Sequence, residues 1–176
     1  DFVGDGSRFG LSATCIRQGE ARGTGHAVAV AGDFLEGEIA VAAGDTSFSP
    51  EHVQGIIELF QHTQAGAALC LKHLPPEKLA QTSSVKIDDA GTITRFVEKP
   101  PVGTAPSEYA AALLHIYNGD LRDCLASLKP SPRGEIELPD VLDGLRARGH
   151  KIVGKAFPTP PDLTSPEDLL RLNFDY

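Results

Sequence analysis

Basic charge is scarce in this sequence. Its 176 residues carry 16 Lys and Arg against 24 Asp and Glu, for a formal net charge of -8. The acidic excess is not confined to one tail. A DNA or RNA partner requires a basic surface, so no nucleic-acid partner is expected. An anionic small substrate stays open, because a few local cations or a metal outweigh the global field. Long apolar runs are missing as well. None approaches a membrane span and no signal-peptide pattern opens the chain, so we expect no membrane association and a cytoplasmic location. Cysteine is sparse: Cys15, Cys70 and Cys124 lie far apart, each in an apolar stretch, with no C-x-x-C spacing. Three reduced core thiols are the expectation, not a metal or redox site. No two of the six histidines stand at the i, i+4 spacing that builds a zinc site. No internal repeat is present, and no hexapeptide repeat, so no β-helix domain is expected.

What is there reads as one domain over residues 1–176. Hydrophobic residues make up 41% and charged residues 23%, which suits a globular core. Strand and helix patterns alternate. Ser12 to Arg17, Ile39 to Ala43, Ala67 to Leu71, Ala110 to Tyr117 and Lys151 to Phe157 read as strands. Val85 to Ile87 and Thr92 to Val97 read as a hairpin around an acidic turn that ends in Gly91. Pro50 to Gln64 reads as an amphipathic helix with Val53, Ile56, Ile57 and Phe60 on one face. Leu121, Cys124, Leu125 and Leu128 form a helical face. So do Leu138, Val141, Leu142 and Leu145, with Gly149 as a stop. Ser165 caps a last helix that has Pro166 at its first position. Such alternation predicts an α/β domain with a mixed, mostly parallel sheet and helices on both faces, and ligands at the carboxyl ends of the strands.

Polar clusters stand at those strand ends. Asp45, after Gly44, can project a carboxylate toward a hard cation such as Mg²⁺, or simply cap a turn. Glu98 and Lys99 precede Pro100. A carboxylate can hold a sugar hydroxyl and an ammonium a phosphate, but neighbours on a strand face opposite ways unless the strand ends or bends there. An exposed strand end is the plain alternative. Arg133, before a helix, can reach a phosphate with its fork; helix-end electrostatics is the alternative reading of that segment. Asp162 can be a second metal carboxylate or an Asx-turn leading into the last helix. Gln18 can read a base edge, and Gly23 with Thr24 can let backbone approach a ligand; a flexible glycine loop is the alternative.

In order, these clusters resemble the sugar nucleotidyltransferase family of glucose-1-phosphate thymidylyltransferases and related uridylyltransferases. Gly4-Asp5-Gly6-Ser7-Arg8-Phe9-Gly10 resembles its G-D-G-S-x-F-G stretch, and Gln18 with Gly23-Thr24 its base-binding segment. Gly44-Asp45 resembles its metal motif, Val97-Glu98-Lys99-Pro100 its V-E-K-P, and Arg133-Gly134-Glu135 with Asp140 its R-G-E-x-E-x-x-D. Asp162 to Leu169 resembles its closing D-x-G-T-P-E-D-L. The resemblance implies a Rossmann-like, GT-A-type fold. It implies Mg²⁺-dependent transfer of a nucleotidyl group from NTP to a sugar 1-phosphate with release of pyrophosphate. It assigns Asp45 and Asp162 to Mg²⁺, Gln18, Gly23 and Thr24 to the nucleotide base, Glu98 to sugar hydroxyls, and Lys99 and Arg133 to the sugar phosphate.

There are departures. The family's opening glycine-rich loop, which holds the NTP phosphates, has no counterpart from Asp1 onward. The expectation is an N-terminally truncated domain that self-associates as a homo-oligomer and turns over only when that segment is restored. Thr82 and Ser83 stand where the family has Tyr-Gly, Leu113 where it has a sugar-contacting Gly, and Thr46 where it has Asn. Pro160 and Thr164 replace its Trp and Gly around Asp162. These replacements support an alternative: a related domain that binds ligands without turnover.

Overall fold

The computed structural model describes residues 2–163 and 165–175. The elements run α1 (Thr24–Ala29), β1 (Ile39–Ala42), α2 (Pro50–Thr63), β2 (Ala67–His73), α3 (Pro76–Leu79) and the hairpin β3 (Ser83–Ile87) and β4 (Ile93–Glu98). They continue as β5 (Tyr109–Tyr117), α4 (Leu121–Ser127), α5 (Val141–Ala147), β6 (Ile152–Phe157) and α6 (Pro166–Asp175). The main sheet has strand order β1-β5-β2-β6. β5 is antiparallel to both neighbours and β2 is parallel to β6, so β1, β2 and β6 run one way and β5 runs against them. The sheet is thus mixed, with its three co-directional strands ending along one edge. That edge carries Asp45 after β1 and the Pro-rich turn after β6.

Each face of the sheet is covered because the strands are apolar on both sides. Ala67, Leu69 and Leu71 of β2 pack into a cluster with Leu121 and Leu125 of α4 and Val141, Leu142 and Leu145 of α5. The alternate residues Ala68 and Cys70 pack with Ile56 and Phe60 of α2. Burying each such Leu or Ile contributes about 1.5–3 kcal/mol. The hairpin adds Val85 and Ile93 to the first cluster. It is tied to the main sheet by Thr92 opposite Val153.

Helix ends follow their residues. Pro50 opens α2, and Gly149 past α5 adopts the left-handed φ of 85° that stops a helix. Ser165 and Asp168 cap α6 reciprocally: the Asp168 N–H donates to the Ser165 hydroxyl at 3.2 Å, and the Ser165 N–H to the Asp168 carboxylate at 2.9 Å.

Three expectations need correction. Ser12 to Arg17 form no strand; the segment is irregular and finds no ladder partner among the described residues. Cys15 within it is therefore exposed, unlike the buried thiols of Cys70 and Cys124. The buried stripe of α2 is His52, Ile56 and Phe60, whereas Val53 and Ile57 are 39% exposed. His52 can occupy that stripe because both ring nitrogens are satisfied, Nδ1 by the Ser49 hydroxyl at 2.6 Å and Nε2 by the Pro158 carbonyl at 2.8 Å. No described helix is long and apolar enough to cross a membrane.

Candidate active site

β4 ends at Glu98, and the chain turns sharply at Lys99. Lys99 takes a left-handed φ of 45°, although it is neither Gly nor Asn. Such a conformation costs about 1–3 kcal/mol and has to be held in place by its surroundings. Here the Lys99 N–H donates to the Thr82 carbonyl at 2.7 Å, and Pro100 ends the ladder. The bend removes the strand's alternation, and Glu98 and Lys99 both line one cavity of about 510 Å³.

Arg133 reaches the same cavity from the loop before α5. Gly134 beside it has φ 80°, which makes the tight turn from Ser131 to Gly134. The Arg133 guanidinium pairs with Glu137 at 2.8 Å, and the Glu137 side chain is largely buried. Glu137 thereby forms part of the cavity wall. Burial pushes the Glu98 carboxyl above its ordinary value and the Glu137 charge adds to this, while Arg133 and Lys99 pull it back. Burial likewise raises the Asp140 carboxyl, again with a contribution from Glu137. The site is thus an acidic cluster balanced by two cations.

Gln18, Gly23 and Thr24 line the cavity as well. The glycines serve the chain itself. A Cβ on Gly23 would lie 2.5 Å from the Ile136 carbonyl oxygen, and one on Gly25 2.9 Å from the Ile136 side chain. Their absence lets the Gly25 N–H donate to the Ile136 carbonyl at 2.8 Å and the Leu138 N–H to the Thr24 hydroxyl at 3.2 Å. The segment from Gln18 is thereby clamped to the segment from Arg133. Gln18 itself donates to the Gly23 carbonyl at 3.2 Å and lies 3.1 Å from His26 Nδ1.

Ala111, Leu113 and His115 complete the cavity wall as successive same-face residues of β5, joined by Thr82, Ser83 and Phe96 of the hairpin region. Sequence reasoning singled out Thr82, Ser83 and Leu113 and missed His115. It sits inside the apolar run Ala110 to Tyr117, where only its polarity marks it.

Asp45 and Asp162 are absent from that cavity wall but are neighbours of each other. Thr46 and Asp162 form an antiparallel bridge, and the Leu163 N–H donates to the Asp45 carbonyl at 2.7 Å. The Thr46 hydroxyl lies 3.0 Å from one Asp162 oxygen and 3.4 Å from one of Asp45. Lys72, buried at the end of β2, donates to the other Asp162 oxygen at 2.6 Å. No group of three His, Cys, Asp or Glu side chains suited to a metal forms among the described residues. Two adjacent carboxylates still fit Mg²⁺, which takes one or two carboxylates and fills its shell with water and substrate phosphates.

The profile of the family described as nucleotidyl transferase matches residues 1–175 of this chain. The chain belongs to that family, the sugar nucleotidyltransferases, as its motif series implied. It is 30% identical over 175 residues to the low-salt glycan biosynthesis nucleotidyltransferase Agl11 of Haloferax volcanii, covering 98% of this chain and 48% of that protein. It is 29% identical over 151 residues to a glucose-1-phosphate thymidylyltransferase of Streptomyces griseus, covering 85% of this chain and 41% of that one. The chain thus spans about half the length of these relatives. A solved structure of a putative glucose-1-phosphate thymidylyltransferase from Bacillus anthracis, in complex with a sucrose, superposes with a TM-score of 0.80 at 27% identity, over 98% of this chain and 68% of that one. A UDP-glucose pyrophosphorylase complexed with UDP-glucose shares the fold, with a TM-score of 0.80 at 23% identity, over 93% of this chain and 65% of that one.

Proposed function

We propose that this chain forms the reaction site of an enzyme that transfers a nucleotidyl group from an NTP to a sugar 1-phosphate, with Mg²⁺ and with release of pyrophosphate. One observation carries the reading: Glu98, Lys99 and Arg133 converge on a single cavity that Gln18, Gly23 and Thr24 also line. An oxygen of the sugar phosphate attacks the α-phosphorus. The new P–O bond forms as the bond to the bridging oxygen breaks, and that electron pair leaves on pyrophosphate. No side-chain nucleophile is needed, so positioning and charge neutralisation do most of the work.

Lys99 and Arg133 neutralise the sugar phosphate. Arg133 is the better fit for a bidentate grip, and to make it the guanidinium exchanges Glu137 for phosphate oxygens. Glu98 accepts hydrogen bonds from sugar hydroxyls. Gln18, Gly23 and Thr24 hold the nucleotide base. Asp45 and Asp162 would hold Mg²⁺, which when bound supplies charge neutralisation at the reacting phosphates.

Calorimetric titration of a sugar 1-phosphate and of the matching free sugar tests the assignment. The phosphate ester binds more tightly, and Arg133→Ala weakens it by about thirtyfold or more, the usual effect of truncating one partner of a desolvated charge pair. Equal binding of ester and free sugar would contradict the reading. Leu113 supports a second reading, binding without turnover, because it lines the cavity at the position where the family carries a glycine. Binding of both substrates with no pyrophosphate release would select it.

A further inference from the structure

Arg133 already holds an anionic group of the chain itself. Its Nη2 lies 2.8 Å from a carboxylate oxygen of Glu137, whose side chain is 11% exposed against 41% for Arg133. Glu137 is the fixed partner of the two. Its neighbours on both sides are tied to the segment that follows Gln18: the Ile136 N–H donates to the Arg22 carbonyl at 2.8 Å, and the Leu138 N–H to the Thr24 hydroxyl at 3.2 Å. Arg133 stands on the far side of the Gly134 turn with a long, half-exposed side chain, so it is the partner that can swing. Among the described residues Arg133 alone pairs with the Glu137 carboxylate, and that carboxylate does not cap the turn Leu138–Asp140 that it precedes. Burial raises the Glu98 and Asp140 carboxyls above their ordinary values, and the Glu137 charge raises both further. Without Arg133, Glu137 would be a buried carboxylate beside two others, which is a costly arrangement.

Resting on the reaction proposed above, we infer that Glu137 is a positioning residue that acts through Arg133: its carboxylate competes with the sugar phosphate for the guanidinium and so sets how tightly the site holds a phosphate ester. A ligand that must first open a resident contact binds more weakly, in proportion to how seldom that contact is open. The weakening favours release of product. A sugar 1-phosphate arrives as a monoester with about two negative charges at neutral pH. After transfer the same phosphate is also bonded to the nucleotidyl phosphorus and keeps only about one of them. The anion facing Arg133 thus loses charge as the new P–O bond forms, and the Glu137 carboxylate recaptures the guanidinium.

The test titrates sugar 1-phosphates and the matching free sugars, by calorimetry, into the protein that contains this chain: wild type, Glu137→Gln, Arg133→Ala and the double variant. Glu137→Gln keeps the volume and removes the charge. It should bind the phosphate ester at least about tenfold more tightly than wild type, the scale of one charge-assisted hydrogen bond, and the free sugar equally. In the Arg133→Ala background the same substitution should bring little of that gain, which separates competition for the guanidinium from a general loss of negative charge. A second reading needs no variant: the ¹³C resonance of the Glu137 carboxyl, assigned through its own backbone in wild type, should shift as the ester saturates the site and stay still with the free sugar. Unchanged or weaker ester binding in Glu137→Gln, a gain that survives in full without Arg133, or a carboxyl resonance that stays still while the ester binds would each overturn the role of Glu137 and leave the function standing. If no sugar 1-phosphate binds the wild type at all, the function itself falls, and this inference with it.

Discussion

The Lys72 ammonium lies 2.6 Å from the Asp162 carboxylate, and the lysine side chain is only 10% exposed. This ion pair sits where the proposed function places a divalent cation. Lys72→Met leaves Asp162 half-buried without its counter-charge and beside Asp45, and we expect a loss of about 1–3 kcal/mol. Millimolar Mg²⁺ should restore much of it, because a cation that binds the folded state stabilises it by mass action. Thermal melts with and without Mg²⁺ check this. An Mg²⁺ response no larger in Lys72→Met than in wild type would remove Asp162 from the metal site, as would a response that survives Asp162→Asn.

Glu98 faces two carboxylates and two cations in a confined space. Burial and the Glu137 charge both oppose its ionisation. Glu98→Gln keeps the shape and removes that charge, so stability at neutral pH should rise by about 1 kcal/mol, or roughly 2–4 °C in Tm. Affinity for sugar 1-phosphate should fall, because a carboxylate accepts hydroxyl hydrogen bonds more strongly than an amide. A variant that is both less stable and equally tight would contradict the electrostatic description of the cavity.

His115 makes folding sensitive to acid. Its pKa is lowered by burial to about 4 from an ordinary 6.5. Above the ordinary value both folded and unfolded chains are neutral, and the contribution to stability is fully present. As pH falls from 6.5 to 4, the unfolded chain binds a proton that the folded chain refuses, so stability declines by about 3 kcal/mol. Glu98 and Asp140 act in the opposite sense, since their raised values favour the folded state as they protonate. Comparing wild type with His115→Gln isolates the histidine: urea midpoints of the variant should lack the decline. Identical pH profiles would show that the ring is accessible to protons.

Arg133→Lys keeps the charge but loses the fork. If Arg133 grips phosphate bidentately, the substitution should weaken sugar 1-phosphate binding by about tenfold while leaving the free sugar unchanged. Equal losses for both ligands would mean that Arg133 shapes the cavity only through Glu137.

Much of the candidate cavity's lining was legible because motif residues sit at element ends. Glu98 and Lys99 stand before a proline, and the need for a bend there followed from strand alternation; the left-handed φ of Lys99 is that bend. The order of strands and helices was legible from apolar period and from Gly and Pro punctuation. The failures have physical causes. Ser12 to Arg17 has local strand character, but a strand also needs a ladder partner, which local pattern does not report. Gly23 and Gly25 carried no sign that the surface they approach is Ile136. Lys72 and His115 lie inside apolar runs. Their roles depend on residues at sequence separations of 90 for Asp162 and on the cavity wall, and no local rule reaches that far.

Pyrophosphate release reports the proposed reaction itself. The protein that contains this chain is supplied with each common NTP and a panel of sugar 1-phosphates in the presence of Mg²⁺. Release should require both substrates and fall by about a hundredfold or more in Arg133→Ala and Asp162→Asn, the scale of losing one preorganised group at a reacting phosphate. Release that is independent of the sugar 1-phosphate, or undiminished in both variants, would place the reaction elsewhere than in this cavity.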